Sequence, residues 1–320
     1  MCQRQNPSVF GGHDPYLRPG EWQFVGQFRR AVSDLHYQGR KPYPELDPFG
    51  PINTQNFWVA DITRGLTRRL SVALTVPLMV NGFDVNRAPP GQAERQWIST
   101  SARGLGDVSA RASYWLLPAR ESSRGNIAFA AGLKAPTGRA GVRDSYFGRP
   151  VPVDISIQPG DKAWAPTAGL QAFRIFDWGT VFGSAQYLFN PRGTTGVPTF
   201  FGSLTNPNNR VENSSHDQFV YQGGASFLLP RRWPTPLLAY RVSGVPVLDV
   251  FGPSHGFRRP GTIGLIEPGL AYTIKGHTFT VSVPIMTYVN VKDSPFSARI
   301  EDATVPRFTL QITWIKRWLP

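Results

Sequence analysis

The sequence predicts an all-β protein: a single transmembrane antiparallel up-and-down β-barrel of about twelve strands, with short periplasmic turns and long extracellular loops. Three observations point there. Gly 32 and Pro 30 interrupt the 320 residues too often for long helices, because proline removes a backbone donor and glycine lowers helix stability. Apolar residues alternate with small polar ones in run after run. Tight and long connections alternate along the chain.

The runs read in order. "EWQFVGQF" sets Trp22, Phe24, Gly26 and Phe28 against Gln23, Val25 and Gln27. "NFWVADITRGL" sets Trp58, Ala60 and Ile62 against Asp61. "LSVALTVPLMV" puts Leu70, Val72, Leu74, Val76, Leu78 and Val80 on one face, opposite Ser71, Ala73 and Thr75. "GLGDVSARASYWLL" opposes Val108, Ala110, Ala112 and Tyr114 to Asp107, Ser109, Arg111 and Ser113. "NIAFAAGLKA" opposes Ile127, Phe129, Ala131 and Leu133 to Ala128, Gly132 and Lys134.

Seven noisier runs follow: "WAPTAGLQAF", "GTVFGSAQYLF", "QFVYQGGASFLL", "PLLAYRVSG", "IGLIEPGLAYTI", "TFTVSVPIMTYV" and "RFTLQITWIKRW". Each run approaches the roughly 9–11 residues with which a tilted strand crosses a bilayer. The long connections span about Leu35 to Gln55, Asp84 to Gly104, Thr137 to Asp161, Pro191 to His216, Gly244 to Gly261 and Val291 to Ala303. Between them lie tight turns such as "RGLTRR", "FDWG" and "KGH". Compact domains mostly use connections of about 4–6 residues, so this alternation itself points to an outer-membrane barrel.

Apolar residues are 41% and charged residues 17% of the chain, below the soluble norm of about 25% charged. No stretch approaches the ~18 consecutive apolar residues of a membrane helix. A soluble β-sandwich shares the alternation, but its solvent face would be richly charged, whereas the polar faces here are mostly Ser, Thr, Gly, Ala and Gln. In a barrel the apolar face meets lipid, and closure leaves no unpaired backbone amide in hydrocarbon. Parity then sends Arg29, Asp61, Asp107, Arg111, Lys134, Arg241, Glu267 and Arg307 into the lumen as candidates for solute contact or for bracing the wall. Aromatic girdles are expected from Tyr114, Trp115, Trp178, Trp233, Tyr272, Trp314 and Trp318 toward the tight turns, and from Trp58, Trp164, Tyr187 and Tyr288 toward the long loops. Small inward residues such as Gly132, Gly169, Ser184, Gly224, Ser226 and Gly269 would keep a narrow bore open, obstructed by the long loops or by the segment before Gly20.

"GLGDVSARASYWLL", "NIAFAAGLKAPTG", "SIQPGDKAWAPTAGLQAF" and "SVPIMTYVNV" together resemble an outer-membrane β-barrel transporter family associated with the meta-cleavage pathway of phenol degradation. The likeness runs from about Gly20 to Trp318. It implies uptake of small aromatic or hydrophobic solutes by passive diffusion, and it brings no catalytic residue set. Enzyme chemistry is not expected, and neither is a cofactor or a metal. The five histidines, His13, His36, His216, His255 and His277, lack metal-ligand spacing, and the neighbours Ser254 and His255 do not make a nucleophile–base pair. The alternative is a barrel lipid hydrolase, or an adhesion or assembly barrel that works through its loops.

Residues 1–20 read as an N-terminal periplasmic segment or plug and residues 21–320 as the barrel, a monomer in the bacterial outer membrane. The expected partners are outer-membrane lipid, lipopolysaccharide and a small-molecule solute. The 34 Lys and Arg are scattered instead of forming a basic stripe, which argues against nucleic acid. The formal net charge of +13 predicts a modest anion preference. The N-terminus lacks the apolar run of a signal peptide; a missing upstream stretch, a cytosolic chain or a lipid-modified Cys2 would each account for that.

Overall fold

A computed structural model describes residues 16–89, 91–118, 124–200, 211–230, 233–294 and 302–319. Among these, twelve strands close one antiparallel barrel. They are β1 (Trp22–Gln38), β2 (Ile52–Gly65), β3 (Leu70–Arg87), β4 (Gln96–Leu105, resumed at Ser109–Trp115), β5 (Gly125–Lys134) and β6 (Ala165–Phe176). The second half comprises β7 (Gly179–Leu188), β8 (Gln218–Phe227), β9 (Thr235–Val245), β10 (Gly261–Ile274), β11 (His277–Ser282, resumed at Ile285–Val291) and β12 (Asp302–Trp318). Each strand pairs with its chain neighbour, and β1 closes on β12 from Trp22 opposite Trp318 to Gln38 opposite Asp302. Closure is what permits a sheet in hydrocarbon, since every ladder amide finds a partner.

The apolar faces point outward. On β3, Val72, Leu74, Leu78 and Val80 are 38%, 46%, 42% and 44% exposed, while Ala73, Thr75, Met79 and Asn81 between them are buried. A soluble fold would invert this order, so the exposed rows are the lipid-facing wall.

The structure departs from the sequence reading in four places. First, β1, β3 and β12 run 17, 18 and 17 residues, well beyond a bilayer crossing. The stretch from Asp84 to Gly104, expected as loop, is therefore mostly a continuation of β3 and β4. Second, β4 breaks at Gly106, Asp107 and Val108, where Gly106 N–H donates to the Pro77 carbonyl at 2.9 Å. The break resets the alternation: Thr100 and Ala102 are buried before it, and Asp107 is buried within it. Third, Trp115 is buried instead of sitting in a girdle, because it shares the inward parity of Arg111 and Ser113. Fourth, Trp58 lies midway along β2, opposite Phe28 and Leu78, away from either rim.

The connections expected to lack structure are built. That between β5 and β6 holds a hairpin (Arg143–Tyr146 with Arg149–Pro152) and a 3-10 turn (Ile155–Ile157). It folds into the barrel mouth, where Tyr146, Val151, Val153, Ile157 and Phe200 pack on Phe83, Val85 and Ala102 of the inner wall. At the opposite end Tyr16 is buried against Trp115, Phe173 and Phe182, with ring centroids 5.2 Å from Trp115 and 5.9 Å from Phe173. Residues 1–15, with Cys2 and His13, lie outside the described residues.

Candidate functional site

Strand β3 reads the interior in layers. Its outermost inward residues, Val85 and Phe83, carry the folded loops. Next come Met79 and Pro77, which line a cavity of about 1100 Å³, counted with the open part of its mouth. Then Thr75 donates to Asp61 at 2.7 Å.

The cavity wall combines inward positions of the strands with residues of the loops above. Phe57, Val59, Pro77, Met79, Leu188 and Val197 make it largely apolar. Arg29, Gln27, Gln218 and Asn213 supply polar groups. The Arg29 guanidinium lies 4.6 Å from the centre of the Phe57 ring, the geometry of a cation–π contact. Asn213 is buried with neither amide atom hydrogen-bonded within the protein, and Gln218 Oε1 is likewise without a partner. Buried amide groups left unpaired cost about 1–3 kcal/mol each, so this part of the wall is poised to bond a guest.

One side of the cavity is ionic. Lys134 bridges Asp107 at 3.0 Å and Asp161 at 2.5 Å. Asp107 also accepts from Gly138 N–H at 2.8 Å, and Asp161 from Asn190 Nδ2 at 3.2 Å. Burial would raise the Asp161 carboxyl, but Lys134 outweighs it and holds the group below the usual carboxylate range. His216 beside them is pushed down to about 3, chiefly by burial, so it stays neutral at physiological pH.

Two more pairs lie elsewhere on the inner wall. Arg111 approaches Asp61 at 3.5 Å, and Asp61 also accepts from Thr63 at 2.9 Å. Gly132 sits opposite Arg111 where a Cβ would stand 2.6 Å from the Ala110 carbonyl oxygen, so only glycine fits there. Arg241 is paired with Glu267, which also accepts from Gln222 at 3.1 Å and Ser282 at 2.9 Å.

The eight candidate residues therefore divide. Arg29, Asp107 and Lys134 line the cavity; Asp61 reaches Arg111 across the intervening β3, and Arg241 with Glu267 ties the neighbouring strands β9 and β10 together. Arg307 joins neither group: it is exposed beside the register shift between β1 and β12. Arg111, Lys134 and Arg241 are thus each held by carboxylates, Asp161 included, whereas Arg29 lies against the Phe57 ring. Asp161, Asn213 and Gln218 escaped the sequence reading because they lie in or beside long connections, where no periodicity marks an inward residue.

The aromatic candidates Tyr114, Tyr272, Trp314 and Trp318 are exposed near the tight turns, and Trp164 is exposed just before β6 at the loop end. Tyr187 donates to Asp217 at 2.9 Å, and Arg40 lies 5.5 Å from the centre of the Tyr288 ring. Of the histidines, His36 is buried between Asp47 at 2.8 Å and the Pro51 carbonyl at 3.0 Å. Ser254 accepts from the Asp249 N–H at 2.7 Å. Among the described residues no group of three or more His, Cys, Asp or Glu side chains could hold a metal ion.

No family model matches the chain, and no curated protein matches it. Among solved structures, an outer membrane channel from Pseudomonas putida F1 is similar with a TM-score of 0.63 and 12% identity, covering 98% of this chain and 100% of that one. The beta domain of the Bordetella autotransporter BrkA has a TM-score of 0.47 and 11% identity, covering 93% and 100%. The Ralstonia pickettii toluene transporter TbuX has a TM-score of 0.45 and 10% identity, covering 98% and 92%. With its closed ladder and outward apolar rows, the chain is a β-barrel of the Gram-negative outer membrane.

Proposed function

We propose that the protein is a monomeric outer-membrane channel that takes up small solutes by passive diffusion, with the cavity under the folded loops as the transit site. The observation that carries this reading is the lining: an apolar surface from Phe57, Val59, Pro77 and Met79 faces polar groups of Arg29, Asn213 and Gln218. Such a lining suits a small aromatic or hydrophobic solute with one hydrogen-bonding end, since apolar walls bind the body and a few placed polar groups orient it. The likeness to an outer membrane channel supports the transport class. The test is solute entry into liposomes carrying the purified protein, compared with Val59→Trp and Met79→Trp, which fill the cavity. Entry of a phenol or similar solute in wild type, and its decline in both variants, is the expected outcome. Equal entry in all three, or none in wild type, overturns the reading.

A further inference from the structure

At the tight-turn rim, on the outward side of β12, two donors face each other with no acceptor between them. Trp314 Nε1 donates to His277 Nδ1 at 3.0 Å. Indole nitrogen is donor only, so Nδ1 must be the accepting nitrogen, and the ring proton then sits on Nε2. Lys316 Nζ lies 3.1 Å from that same Nε2, and an ammonium has only donors to offer. Neither the neutral nor the protonated imidazole can accept at both nitrogens. An anionic oxygen placed between Lys316 Nζ and His277 Nε2–H resolves the conflict by accepting from both.

The surroundings favour an anion of the membrane. Arg64 lies over Trp22, 5.1 Å from its centre, and Trp22 pairs with Trp318 while Phe24 pairs with Lys316. Lys275, in the turn before His277, and Arg64 are exposed, while Glu21 beside Trp22 accepts from the Arg18 N–H at 2.8 Å. Interfacial aromatics mark the headgroup level, and clustered cations beside them attract lipid phosphate.

We infer that Lys316 and His277, flanked by Trp314, form a binding site for the phosphate of an anionic phospholipid in the periplasmic leaflet. His277 is brought beside Lys316 by a two-residue hairpin turn in which Lys275 and Gly276 take φ of 49° and 75°.

The experiment is native mass spectrometry of the full chain in detergent, titrated with phosphatidylglycerol, phosphatidylcholine or inorganic phosphate. Heat-modifiable gel mobility confirms that each variant is a folded barrel. Wild type should bind phosphatidylglycerol in preference to phosphatidylcholine. Lys316→Met and His277→Phe should each weaken that binding about tenfold, the loss of one charge-assisted hydrogen bond, and Lys316→Arg should keep it. Without lipid, Lys316→Met should unfold no more easily than wild type, because it removes a donor that has no acceptor; a merely structural lysine would lower stability. Unchanged lipid binding in both variants overturns the site. Equal affinity for inorganic phosphate makes it a free-anion site and overturns the lipid assignment, and preference for a periplasmic protein over lipid would do the same.

Discussion

At the long-loop mouth Arg258 is fully enclosed and meets Asp249 through two hydrogen bonds of 2.7 Å, Arg259 meets Asp154 at 3.1 and 3.2 Å, and Asp217 accepts from Val250 N–H at 2.8 Å. At the tight-turn mouth the interior is closed by rings, Tyr16 against Trp115 and Phe173, with Asn126 donating to the tyrosine oxygen at 3.0 Å. Arg317 also reaches inward there, donating to Gln23 at 2.7 Å and to the Tyr16 carbonyl at 3.4 Å. The loops at the long-loop mouth pack through Phe83, Tyr146 and Phe200, and the buried ion pairs add directional contacts that fix which loop segments meet. One chain segment entering a narrow hole needs only volume and a hydrogen-bonded tip, which an aromatic residue supplies.

The sharpest way to break this contrast is Asp249→Asn, which leaves Arg258 buried and charged without its partner. A cost of about 3–5 kcal/mol is expected, seen as protease cleavage within residues 246–260 of a barrel that still migrates as folded. Tyr16→Ala should come next, at about 3 kcal/mol, with rising single-channel conductance as its readout. At the outer mouth Asp154→Asn should cost about 1–3 kcal/mol, since Arg259 keeps some contact with water.

The smallest effect per step of the variable changed is one of pH. His216 is pushed down to about 3 by burial, so below its ordinary value of 6.5 the unfolded chain binds a proton that the folded loop refuses. Stability of the outer mouth should therefore fall on acidification across that window, by at most about 1.4 kcal/mol per pH unit, and His216→Asn should flatten the slope. Asp154 adds loss of the same sign lower down, because the Arg259 pair outweighs burial and holds its carboxyl below the usual range. The tight-turn mouth, closed by aromatic packing, should show no such slope. Loop cleavage and conductance, each followed against pH, separate the two.

The same contrast explains what the sequence revealed. Lipid on one side and a lumen on the other impose a strict two-residue alternation, so the facing of Val72, Leu74, Asp107 and Arg111 is written in the chain. Trp115 was legible too: the parity that turns Arg111 and Ser113 inward applies to it, and only its size suggested a girdle. The partner of Lys134 was not legible, because Asp161 reaches it from a loop 27 residues away whose path obeys no period. Nor was the hydrogen-bonding void at Asn213, which depends on where two short strands (Thr194–Pro198 and Glu212–Ser214) come to rest inside the mouth.

The uneven height of the wall has a practical consequence. The hairpin of β3 and β4 rises past the bilayer as a ribbon whose inner face carries the folded loops through Phe83, Val85 and Ala102 and whose tip lies between Arg87 and Gln96. A peptide epitope grafted at that tip would be displayed on the cell exterior, giving a handle for counting correctly inserted copies on intact bacteria.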